Sequence, residues 1–145
     1  MPVFAITITH FFNKGIATSP NAIPYFSDSA ARPAALGLSS FGREVVSEME
    51  RLGITIDVTH TTTRALSDVL GSTTRPLIAT HSNVHALCPS PRNLTDRQLA
   101  AIRDTGGMVG LNFATGFLRP DGNMKADTNI DLMVRHLDYL IEKLG

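Results

Sequence analysis

The chain has a single cysteine, no tryptophan and no net charge, and each shortage removes a class of protein. A lone cysteine, Cys88, cannot close an internal disulfide, so this is not a small disulfide-built scaffold, and a reducing compartment fits. Thirteen Lys and Arg balance thirteen Asp and Glu, leaving no basic field to neutralise phosphates or bind an anionic membrane surface. Nucleic acid is therefore excluded as an expected partner. No apolar run approaches the ~20 residues of a membrane span, and the opening MPVFAITITH lacks the basic start and long apolar stretch of a signal peptide. The expected location is cytoplasmic. Phosphate-loop and nucleophile-elbow glycines are missing too: Gly106 and Gly107 sit where a helix should end, and Ser82 beside His81 lacks flanking glycines.

What is present reads as a globular α/β chain, 145 residues long and 43% hydrophobic. Short β-rich runs alternate with stretches of helical period, which argues for successive βα units and a parallel sheet. The expected strands are Phe4 to Thr9, Ile54 to Thr59, Pro76 to Thr80 and Met108 to Phe113. A first helix begins near Ser40, its expected cap, with Phe41, Val45, Met49 and Leu52 as its apolar stripe and Gly53 as its left-handed stop. A second presents Ala65, Leu66, Val69 and Leu70. The third opens on Thr95 and Gln98, at capping-box spacing, with Leu94 and Leu99 at staple spacing. Ile130, Met133, Val134, Leu137, Ile141 and Leu144 stripe the closing helix. Residues 13–38 form a connection long enough to be a lid or rim, and 114–127 a shorter loop at the same end of the sheet.

The most informative pattern is a dipeptide repeated at the ends of the first three expected strands: Thr9-His10, Thr59-His60 and Thr80-His81. In parallel α/β folds the carboxyl ends of strands are where sites are built. Neighbouring strands lie about 4.7–4.9 Å apart, so histidines at adjacent ends can reach one metal ion at about 2.0–2.1 Å. Asp57, inside the second strand, could orient such a ligand from behind. His85 is expected in a supporting or solvated position, His136 at the surface or in packing, and Cys88 as an inert thiol.

The stretches LSSFGREVVSEMERLGITIDVTH and PLIATHSNVHALCPSPRNLTDRQLAAIRDTGGMVGLNF, with ITITHFF near the start, resemble the renal or membrane dipeptidase family of zinc metallopeptidases. The resemblance implies a (β/α)8 barrel of TIM type, of which residues 1–145 would be a single partial domain, roughly strands four to seven. It implies that His60 and His81 bind the second of two zinc ions. It makes His10 the active-site histidine that contacts substrate and steadies the tetrahedral intermediate, and Arg92 of Pro91-Arg92-Asn93 the arginine that takes the carboxylate of a dipeptide. The family reaction is peptide-bond hydrolysis by a metal-bound hydroxide.

Three family features have no counterpart here: a His-x-Asp motif for the first zinc, a glutamate bridging both ions, and a late proton-handling aspartate. The one His-x-Asp spacing, His136 to Asp138, falls within the closing helical stripe. The chain is thus expected to be an internal fragment, inactive alone unless another copy completes it, with open strand edges that favour a homo-oligomer. The other readings are a non-catalytic α/β remnant or self-associating module, and a related metal-dependent amidohydrolase acting on a non-peptide amide or lactone. Arg92 separates the last from a dipeptidase, because a substrate without a carboxylate leaves it nothing to bind.

Overall fold

A computed structural model of the chain describes residues 3–10, 15–19 and 37–145. Most of the expected lid over 13–38 lies outside the described residues. Strand β1 (Ala5–Thr7) leads to helix α1 (Ser40–Leu52), β2 (Thr55–Asp57), α2 (Thr63–Leu70), β3 (Ile78–Ala79), α3 (Asp96–Asp104), β4 (Met108–Val109) and α4 (Ile130–Leu144). All pairings are parallel and the strand order is β1-β2-β3-β4. Each strand neighbours the next in sequence, so the sheet winds in one direction, as in a barrel, and never reverses as doubly wound sheets do.

The strands are shorter than the β-rich runs, yet pairing continues past their ends. Ile8 N donates to Asp57 O at 3.4 Å, Val58 N to Ile78 O at 2.8 Å, and Ser82 N to Gly110 O at 2.8 Å. These bonds carry the three Thr-His dipeptides into loops that leave one end of the sheet. At Gly110 the strands approach so closely that any Cβ would collide with the Thr80 carbonyl oxygen.

Ile8, Ile56, Val58, Leu77 and Ala79 meet Val46 and Met49 of α1, Ala65, Leu66 and Val69 of α2, and Leu99 and Ile102 of α3 in one core. The third helix begins as its sequence requires. Gln98 N donates to Thr95 Oγ1, and Thr95 N to Gln98 Oε1, a complete capping box, while Leu94 and Leu99 are both buried. Gly53 takes φ 72° and stops α1.

Two helical faces differ from expectation. Ser39, not Ser40, caps α1 by accepting from Gly42 N at 2.9 Å. The face toward the core is Gly42, Val46 and Met49, and Phe41 and Leu52 lie on the outside. In α4 the buried residues are His136 and Leu140, while Ile130, Val134, Leu137 and Ile141 of the expected stripe are exposed. The apolar arc of α4 is wider than the arc that α3 covers, so the helix seats one margin of it and leaves the rest open. His136 is held within that seat: its Nδ1 accepts from Val84 N at 3.1 Å and its Nε2 donates to Leu118 O at 3.0 Å. Both nitrogens are used, so His136 is a structural histidine and its spacing to exposed Asp138 makes no metal motif.

Candidate metal and carboxylate site

The three strand-end histidines come together. The rings of His10 and His60 have centroids 4.3 Å apart, and those of His60 and His81 5.1 Å apart in an edge-on arrangement. Between the latter pair, the two Nε2 atoms lie 3.0 Å from each other. At that distance one ring donates its Nε2–H to the other, a separation close to the about 3.3 Å at which two nitrogen ligands of one tetrahedral zinc stand.

His60 reaches this position through a backbone conformation that side-chain-bearing residues seldom adopt, with φ 66°. Both the backbone N–H and the hydroxyl of Thr61 donate to Val58 O, at 3.1 and 2.6 Å, and hold the turn. Such strain costs of order 1–3 kcal/mol and is typical of residues aimed into sites.

Arg92 closes the group from the loop before α3. It is buried, its Nη2 donates to His81 O at 3.3 Å and contacts His60 Nε2 at 3.4 Å, and its guanidinium lies 5.4 Å from the centroid of the Phe117 ring. Among the described residues no carboxylate pairs with Arg92, and its buried Nε has no acceptor. Burial lowers the guanidinium to about 10, with only partial compensation from Asp57. The same burial, with the Arg92 charge, holds His60 at about 3, and both causes also lower His81. Neutral imidazoles are the form that binds metal.

Asp57 lies behind the histidines, at the centre of the sheet. Its Oδ1 accepts from Thr59 N at 2.9 Å and Thr80 N at 3.2 Å, and its Oδ2 from the hydroxyls of Thr7 and Thr80, each at 2.7 Å. Burial alone would raise the carboxyl, but these hydrogen bonds outweigh it and keep the group below its ordinary value. The sequence suggested Asp57 as a support. It does not show that the contact to His81 runs through Thr80, whose Oγ1 is 2.9 Å from His81 Nδ1.

The remaining candidates fall away from the site. His85 lines a separate cavity of about 780 Å³ between α2 and α3, together with Arg64, Asn93 and Arg97. Cys88 is buried, and burial raises its thiol, as expected of an inert group. The loop over 114–127 does reach the site's support: Asn83 and Asn93 both donate from Nδ2 to Phe117 O, at 3.1 and 2.8 Å. Among the described residues no group of three His, Cys, Asp or Glu side chains is arranged to enclose an ion. The donor set therefore fits a metal only as part of a site: two imidazole nitrogens 3.0 Å apart.

Similarity to known proteins shows the family of the chain. The sequence profile of the membrane dipeptidases, peptidase family M19, matches residues 2–145. The chain belongs to that family. It is 34% identical over 140 residues to an uncharacterized dipeptidase of Schizosaccharomyces pombe, covering 97% of this chain and 32% of that protein. It is 51% identical over 109 residues, 75% of this chain and 40% of the other, to an uncharacterized Klebsiella pneumoniae protein from the 5′ region of pqqA. Among solved structures, it resembles a metallo peptidase from Rhodobacter sphaeroides liganded with a phosphinate mimic of the dipeptide L-Ala-D-Ala. That match has a TM-score of 0.74 and 53% identity, over 75% of this chain and 31% of that one. The probable dipeptidase PvdM from Pseudomonas aeruginosa shares the fold at a TM-score of 0.87 and 23% identity, over 99% of this chain and 48% of its own. The chain thus spans 32–40% of the length of these curated relatives and has the α/β fold of a part of the TIM-barrel-like dipeptidases. No helix among the described residues is long and apolar enough to cross a membrane.

Proposed function

We propose that this chain supplies one side of the active site of a zinc dipeptidase. His60 and His81 would hold one of two ions, Arg92 would take the free carboxylate of the dipeptide, and His10 would donate to the developing oxyanion. The observation that carries this reading is the buried Arg92 guanidinium, beside two converging imidazole nitrogens and without a carboxylate of its own. A buried cation without an anion is costly to maintain unless a ligand supplies one.

Zinc, when bound, polarises the peptide carbonyl and makes water a nucleophile at neutral pH. The chain's own residues orient and select. The guanidinium offers a planar fork to a carboxylate, and its closeness to His60 sets the scissile bond next to the C-terminal residue. This favours dipeptides over longer peptides and over neutral amides. His10 packs on His60 and is exposed, so it can reach a substrate carbonyl that His60 and His81 flank.

The test uses the complete enzyme with a dipeptide and its C-terminally amidated form. Arg92→Ala should lower kcat/KM for the dipeptide about a hundredfold, mostly through KM, and leave the amide unchanged. Equal losses on both substrates, or no loss, would move the assignment to a related amidohydrolase acting on a substrate without a carboxylate.

A further inference from the structure

We propose that Thr80 is a positioning residue that fixes His81 as the Nδ1–H tautomer, so that the Nε2 lone pair faces the point shared with His60. The inference rests on reading His81 as a metal ligand, but its geometric core stands without the metal.

Thr80 Oγ1 lies 2.7 Å from Asp57 Oδ2 and 2.9 Å from His81 Nδ1. A hydroxyl has one proton to give. Asp57 takes two backbone N–H groups on Oδ1 and the Thr7 hydroxyl on Oδ2, so it acts as an acceptor throughout and draws the Thr80 proton as well. What Thr80 then turns to the imidazole is an oxygen lone pair, so Nδ1 must carry the hydrogen, and His81 Nε2 accepts from the Nε2–H of His60 across 3.0 Å in the metal-free protein. The other hydroxyl nearby, Thr59 Oγ1, is 3.4 Å from Thr80 Oγ1 and too distant to compete with the carboxylate.

The sheet builds this relay. Register pairs Asp57 with Thr7 on one side and Ile78 on the other, so one carboxylate spans three strands. Thr80 gives both its backbone N–H and its hydroxyl to that carboxylate, which clamps its position, and its β-branch restricts χ1 further. Metal-binding histidines commonly donate their second N–H to an oxygen partner that sets tautomer and ring orientation. Here that partner is a threonine whose own direction is set by a buried aspartate, and Asp57 acts on His81 at one remove.

The experiment is long-range 1H–15N spectroscopy of the complete, metal-free protein labelled at histidine, followed by zinc titration. The wild type and Thr80→Ser should show His81 protonated at Nδ1, and Thr80→Val should move the proton to Nε2 or to a mixture. Zinc affinity should fall about 10–100-fold in Thr80→Val and recover in Thr80→Ser. Wild-type His81 protonated at Nε2, or an unchanged tautomer in a folded Thr80→Val, would overturn the inference; the wild-type spectrum decides even if the valine variant does not fold. Should the tautomer behave as stated while His81→Ala binds zinc as tightly as the wild type, the ligand reading fails and the Thr80 assignment survives.

Discussion

His60 and His81 belong to successive βα units, yet their Nε2 atoms face each other across 3.0 Å. Parallel pairing of β2 with β3 brings the two loops side by side, and the positive φ of His60 turns its ring toward its neighbour. Both rings are driven toward the neutral form by burial and by Arg92. At that separation one neutral imidazole donates its Nε2–H to the other, and this is the contact that the proposed ion would replace.

Arg92 should be a source of instability as well as of binding. Its guanidinium is buried, pushed down to about 10 by desolvation that Asp57 only partly offsets, and it makes no ion pair among the described residues. Arg92→Met keeps the length of the side chain and removes the charge. The ligand-free protein should gain about 1–3 kcal/mol in unfolding free energy, read by urea denaturation, while losing carboxylate binding. A loss of stability would show that Arg92 holds the fold together.

His136 makes an opposite prediction, because it is structural. His136→Ala leaves Val84 N–H and Leu118 C=O without partners and opens a cavity, so it should destabilise by about 3 kcal/mol. Burial lowers the folded-state pKa of His136 below its ordinary 6.5, so the unfolded chain binds the proton more readily. Its contribution is complete above about 6.5 and is lost as pH falls from there toward the folded value. Between pH 7 and 5 the denaturation midpoint of His136→Gln should therefore fall less than that of the wild type. Parallel curves would contradict this account of the buried ring.

Ile130, Val134, Leu137 and Ile141 form an open apolar face on α4 with exposures of 66, 46, 43 and 58%. Expressed as these 145 residues, the chain should self-associate through such surface. Val134→Glu combined with Ile141→Lys should shift light scattering toward the monomer with little change in stability, since neither side chain is in the core. Unaltered association would place the sticky surface elsewhere.

The local signals were legible in the sequence, and the global ones only in part. The Thr95–Gln98 capping box and the Gly53 stop depend on a few adjacent residues and appear as read. The α1 face did not, because apolar residues flank the core side and a one-residue shift turns a helix by about 100°. For α4 the apolar arc says that burial is available and not which margin receives it. The convergence of His10, His60 and His81 was readable from repetition after successive strands. The burial of Arg92 was not, since it depends on how the loop before α3 folds over the sheet and against Phe117. The relay from Asp57 through Thr80 left one faint trace: an Asp and a Thr on neighbouring strands, each shortly before a histidine.

The most direct test of the central claim is zinc titration of the protein against its His60→Ala, His81→Ala and double variants. The account predicts saturable binding in the wild type that weakens in each single variant by more than the about 10–100-fold expected from changing a supporting residue alone. The double variant should lose that ion entirely, with the fold unchanged by circular dichroism. Zinc bound equally by wild type and double variant would contradict the account and leave the facing imidazoles as a packing arrangement.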